Sequence, residues 1–227
     1  MIGSRKAGQL AVRIVVVMTR RLAQLYAGLV LYGFSMALVI ESGLGLGPWD
    51  VLHEGLASRL PVSFGVVVIA VGALVLLAWV PLRQRPGLGT VSNVVVLGLA
   101  VDASAFVLPA PDLLGVRVAF LVTGVVLNGV ATAAYIGTHF GPGPRDGLMT
   151  GLVRRTGRSV RLVRTTIELT VLAVGWLLGG TVGVGTVLYA VAIGPLVHVL
   201  LPKLSVPPPA SAARSGAHPD DVRDRRR

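Results

Sequence analysis

Two short stretches of the chain place an aspartate at the same point behind a glycine–proline turn. GLGLGPWDVLHEGL covers residues 43–56 and HFGPGPRDGLMTGL covers residues 139–152; from Gly45 and Gly141 both read G-x-G-P-x-D-x-L-x-x-G-L. Glycine permits the turn, and proline suits the first helical position, where its missing N–H costs nothing. Asp50 and Asp146 then fall in a first turn, at the positive end of a helix dipole. A helix of about a dozen residues starting at Pro48 or Pro144 is too short to cross a bilayer, so it lies at the interface or re-enters as a half-helix. A re-entrant half-helix offers free N–H groups to an anionic or polar ligand. The plainer reading is capping and close packing, with Gly55 and Gly151 letting helices approach. Gly47, Pro48, Trp49 and Asp50, with Gly143, Pro144, Arg145 and Asp146, are the candidate substrate-binding or gating residues.

Other chemistry is sparse. Asp102, Glu168 and His198 are ionisable residues inside apolar stretches, where charge is costly and marks function or a partner. Arg164 lies one turn before Glu168, a spacing that permits an intrahelical ion pair. Asp102 and His198 could form a proton-responsive pair, or each could simply sit near an interface. Asn93 and Asn128 are expected to bond neighbouring helices. A metal at Asp50, His53 and Glu54 is disfavoured, because their counterparts in the second stretch are Asp146, Met149 and Thr150. No nucleophile–base arrangement or H-E-x-x-H motif occurs, so we expect no enzyme, and neither metal nor cofactor. The G-x-G-T stretches at Gly87 to Thr90 and Gly183 to Thr186 lack the G-K-[ST] of a phosphate loop and read as sharp helix entries with a threonine cap.

The elements that hold these residues follow from composition. With 53% hydrophobic and 14% charged residues and a mean hydropathy of +0.77, the 227 residues carry more apolar surface than a soluble domain can bury. The net charge of +11 is not a nucleic-acid footprint, since the cations bracket apolar runs instead of covering a polar face. Windows long enough to cross a bilayer fall near 22–41, 62–82, 88–108, 114–137, 162–180 and 184–203, giving six spans. Leu10 to Met18 is too short to span and reads as an interfacial prelude, and no cleavage site marks a signal peptide. A basic segment, 1–21, precedes the spans, and the tail 205–227, rich in Pro, Ala, Ser and Arg, is expected to be disordered. Of 21 Lys and Arg residues all but Arg59 and Arg117 fall on one side of the six-span arrangement, which places both termini in the cytoplasm.

An offset of 96 residues aligns the two aspartate motifs and also the two G-x-G-T motifs, so the chain reads as a duplication. Each copy, 22–108 and 109–204, holds three spans, and an odd number inverts the second copy relative to the first. Inverted repeats recur in secondary transporters, where equivalent halves exchange between states open to either side. The transport site is then expected between spans one, three, four and six, near Gly33, Gly98, Gly129 and Gly194.

GLGPWDVLHEGL, GLGT, GPGPRDGL and GVGT on a small polytopic chain resemble the YczE/YyaS/YitT group of polytopic bacterial membrane proteins. The resemblance covers roughly Tyr26 to Lys203, and implies a multi-pass protein of the bacterial plasma membrane, with some relatives placed among exporters of drugs or metabolites. The expected function is a secondary transporter exporting a small amphipathic metabolite by alternating access. The alternative is a non-transporting membrane factor that assists another complex or a biosynthetic pathway. The expected partners are the lipid bilayer and a small-molecule substrate, with self-association left open and nucleic acid excluded.

Overall fold

The computed structural model describes residues 2–206, with side chains from residue 12 onward, and every regular element among them is an α-helix. In order these are α1 (Ile2–Ser42), α2 (Pro48–Ala57), α3 (Phe64–Trp79), α4 (Leu88–Val107), α5 (Leu114–Ile136), α6 (Pro144–Thr156), α7 (Val160–Leu177) and α8 (Val184–Leu204). Four of them, α1 over Val12–Ser42, α4, α5 and α8, are long and apolar enough to cross a membrane; α3 is apolar but shorter. Helix α7 has 18 residues, with Arg161, Arg164 and Glu168 in its first half. Leu74, Leu77, Leu99, Val122, Val126, Val187 and Val191 are exposed along these helices. Such an outer surface is unfavourable in water and matched to hydrocarbon.

Two expectations need correction. Leu10 to Met18 is not a separate prelude but part of α1, which continues unbroken for 41 residues. Neither Gly nor Pro interrupts residues 9–27, and arginine is a good helix former, so Arg13, Arg20 and Arg21 do not end the helix. The tail also does not leave the fold at residue 205. The Val206 N–H donates to the Gly137 carbonyl at 2.9 Å and Ser205 Oγ lies 2.8 Å from His139 Nε2, closing α8 onto the end of α5. The remainder of the expected disordered tail lies outside the described residues.

Helices α1 and α5 form the centre, with α4 against α1 and α8 against α5. Their crossing is close because Gly28 of α1 faces the backbone of Ala131 and Tyr135, and Gly124 of α5 faces Ser35 and Val39. These contacts are related by the 96-residue offset, as are others. Arg21 Nε donates to the Thr138 carbonyl at 2.8 Å, and Arg117 Nε donates to the Ser42 carbonyl at 2.7 Å. Each arginine thus satisfies a carbonyl at the end of the helix opposite, where the backbone lacks an internal donor.

Candidate functional site

The glycine–proline turns are held by exchange between the copies. Gly45 (φ +110°) and Gly141 (φ +125°) adopt a backbone conformation that other residues resist. Beside them the Gly185 N–H donates to the Leu44 carbonyl at 2.8 Å, and the Gly89 N–H donates to the Phe140 carbonyl at 3.0 Å. A Cβ on Gly45 would stand 2.6 Å from the Gly183 nitrogen, and one on Gly141 would stand 2.7 Å from Thr90 Oγ1. Thr90 also donates to the Pro142 carbonyl at 2.7 Å and accepts from the Gly87 N–H. The G-x-G-T motif of each copy is therefore the seat for the aspartate motif of the other.

Pro48 and Pro144 open α2 and α6, both with a glycine at the N-cap and no side-chain cap. Asp50 and Asp146 sit in the first turn of these helices. Helix α2 lies on α7 and α6 lies on α3. Gly175 of α7 meets the backbone of Val51 and Leu52, and the counterpart contact sets Trp79 of α3 on Gly147, with Trp79 Nε1 donating to the Pro144 carbonyl at 3.0 Å. Arg59 Nε donates to the Leu178 carbonyl at 3.1 Å and Arg155 to the Pro81 carbonyl at 3.0 Å, so each short helix is tied to the end of the helix it rests on.

The two short helices meet at a cavity of about 270 Å³, whose wall carries residues from all eight helices. Asp50 is buried there, its Oδ1 3.5 Å from an Arg145 guanidinium nitrogen. The same guanidinium lies 4.8 Å over the Trp49 ring, within cation–π range. Trp49 and Asp50 of one motif and Arg145 of the other are thus brought together. His53 Nδ1 stands 3.3 Å from Asp50 Oδ1 but out of line for a hydrogen bond, and Phe64 packs edge-on against its ring. Asp146 accepts a long hydrogen bond from the Tyr135 hydroxyl, at 3.4 Å. Glu168 is also on the wall, bonded to Arg164 at 2.9 Å as its spacing predicts. Glu54 points away, accepting from the Thr181 N–H, so it shares no site with Asp50 and His53.

Several expected residues lie elsewhere. Of the four glycines expected around the site only Gly194 lines the cavity. Gly33 packs α1 on Ala100 and Val101, Gly129 packs α5 on Leu196, and Gly98 faces Gly65. Asp102 and His198 do not pair. Asp102 accepts from Ser63 Oγ at 2.5 Å and from the Gly65 N–H at 2.7 Å, while His198 is exposed. Asn128 bridges helices, donating to Ser35 at 2.9 Å and accepting from Tyr189 at 2.9 Å; Asn93 faces the cavity. The sequence reading missed Tyr32, Tyr135 and Tyr189, three of the four tyrosines, all on the cavity wall. A phenol within an apolar span was the available signal.

The halves also differ in how α3 and α7 pack. Helix α3 packs along α4, held by the Asp102 bonds and by Gly98, where a Cβ would stand 2.5 Å from the Gly65 carbonyl. The equivalent α7 makes no comparable contact with α8, and Gly194, counterpart of Gly98, faces open space. Arg161 and His198 stand where Gly65 and Asp102 stand in the first copy, so the same clasp cannot form.

An all-helical chain with four bilayer-length apolar helices is an α-helical membrane protein. Over residues 19–202 it matches the family model described as "Family of unknown function (DUF6198)", and it belongs to that family. It is 41% identical over 169 residues to an "Uncharacterized protein" of Haemophilus influenzae, covering 74% of this chain and 78% of the relative. It is 35% identical to the "Uncharacterized membrane protein YczE" of Bacillus subtilis (78% and 84% covered) and 28% identical to YyaS of the same organism (77% and 89%). No solved structure matches the chain.

Proposed function

We propose that the protein is a secondary transporter of the bacterial plasma membrane, working by alternating access. Helices α1, α3, α4 and α5, α7, α8 are its six spans, arranged as two inverted repeats with both termini in the cytoplasm. Helices α2 and α6 are re-entrant and carry the motif residues to the cavity. The observation that carries this reading is a central cavity between equivalent halves with one seam, α3/α4, closed and its counterpart, α7/α8, open. Two equivalent halves in unequal conformations are what a two-state exchange requires. In the proposed orientation the Asp102 clasp lies at the outer side, so this conformation is open to the cytoplasm. Exchange would bring α7 onto α8 at Gly194 and release α3 from Asp102.

The chain contains no cysteine, so an introduced pair reports alone. Thr165 and Gly194 are the counterparts of Ile69 and Gly98, which touch at the closed seam. With Thr165→Cys and Gly194→Cys in one chain, mild oxidation of membranes should form an intramolecular disulfide as α7 visits the closed position. A pair that stays fully reactive toward maleimide after oxidation would count against alternating access and favour an accessory role.

A further inference from the structure

The cavity carries more carboxylate than cation, and the excess is local. Its wall bears Asp50, Asp146 and Glu168 against Arg145 and Arg164. Arg164 is bonded to Glu168 at 2.9 Å, and Arg145 is shared between Asp50 at 3.5 Å and the Trp49 ring. Among the described residues no Lys, Arg or His nitrogen comes within ion-pair distance of Asp146. Asp146 is therefore the one carboxylate of the cavity wall without an ion-pair partner. Beside it stand the Tyr135 ring, whose hydroxyl donates to Asp146, and the Tyr32 ring, edge-on to Tyr135 with centroids 6.2 Å apart. One turn before Tyr135 on α5, Thr132 Oγ1 is buried without a hydrogen-bond partner and on the same wall. Arg145 over Trp49 already shows a cation held against an aromatic face in this cavity.

We infer that the cavity takes a monovalent organic cation with an apolar body, its ammonium group between Asp146, Thr132 and the faces of Tyr32 and Tyr135. The chemistry is complementary at each point. Asp146 lacks a counter-ion, the Thr132 hydroxyl accepts an N–H that nothing else supplies, and aromatic faces attract cations. Val71, Val75, Ile167 and Ile193 line the rest of the cavity and suit a hydrocarbon body. This inference rests on the cavity being the transport site, and its test is separate because binding is read without transport.

Three probes share one ring and differ in charge: phenethylammonium, phenethyl alcohol and phenylacetate. Calorimetric titration of the full-length protein in detergent should show saturable binding of the cation, roughly tenfold or more tighter than the alcohol, as one charge-assisted contact implies. Phenylacetate should be weakest. Asp146→Asn should bring the cation down to the level of the alcohol. The wild-type comparison stands whether or not the variant folds. The inference is overturned if phenylacetate binds best, if the cation shows no saturable binding, or if its advantage survives in a folded Asp146→Asn protein. In each of these cases closure of α7 on α8, read by the cysteine pair without any ligand, still decides the transporter reading.

Discussion

Arg21 and Arg117 do work that charge counting does not describe. Arg21 is 5% exposed, donates to the Thr138 carbonyl, and lies 4.4 Å over the Phe140 ring. Its counterpart Arg117 donates to both Ser42 and Gly43. These bonds need a planar group with a directed Nε donor, which lysine lacks. Arg21→Lys, which keeps the charge, should therefore lower stability by about 1–2 kcal/mol, the worth of a hydrogen bond with a stacked partner. Thermal unfolding in detergent checks this, and a wild-type melting temperature would reduce Arg21 to a topology signal. From sequence Arg21 was legible only as one of a run of cations, because its partner is 117 residues away. Asp50, Arg145 and Asp146 were legible as candidates because a repeated motif marks them. Tyr32, Tyr135 and Tyr189 carry no motif, and only the fold brings them to one wall.

At the scale of elements, hydropathy windows and proline positions locate the helices within a few residues, apart from the start of α1, including the starts of α2 and α6 at Pro48 and Pro144. Which helix lies on which was not legible, since α2 on α7 and α6 on α3 depend on a Gly175 or Gly147 step whose partner is in the other copy. The same holds for the α3/α4 clasp: Asp102 looked like a lone intramembrane charge until Ser63 and Gly65 came beside it. Removing that carboxylate leaves the Gly65 N–H and the Ser63 hydroxyl without their acceptor at the seam. Asp102→Ala should therefore loosen α3 from α4 and expose the cavity at that end. With Val71→Cys as the reporter, a membrane-impermeant maleimide added outside cells should label the Asp102→Ala protein several times faster than the Asp102 protein. Equal rates would show that Gly98 packing alone keeps the seam shut. Gly147→Leu tests the other element contact: its side chain collides with the Trp79 ring, and overpacking of that kind costs about 1–3 kcal/mol. A thermal melt of the variant in detergent should drop accordingly, and an unchanged melt would mean that α6 can move off α3 freely.

For the whole molecule, the two exceptions to the cation pattern now have a physical account. Arg59 and Arg117 are the only cations assigned outside, and both are bound to helix-end carbonyls, Arg59 to Leu178 and Arg117 to Ser42 and Gly43. Their counterparts Arg155 and Arg21 make the matching bonds in the other copy. In the proposed inverted arrangement, a fold that needs an arginine at these points places one of each pair on the outer face, against the bias that keeps cations inside. The remaining cations, at Arg13 and Arg20, at Arg83 and Arg85, and at Arg154, Arg158 and Arg161, are then left to set orientation. Reporter fusions after Leu60 and after Arg158 should accordingly read outside and inside. Neutralising Arg59 or Arg117 should leave both readings unchanged while lowering stability in detergent, because these residues hold helix ends and do not choose a side. Fusions that report the same side for Leu60 and Arg158 would contradict the inverted arrangement. A flipped topology in the Arg117 variant alone would show that this cation acts on insertion as well as on packing.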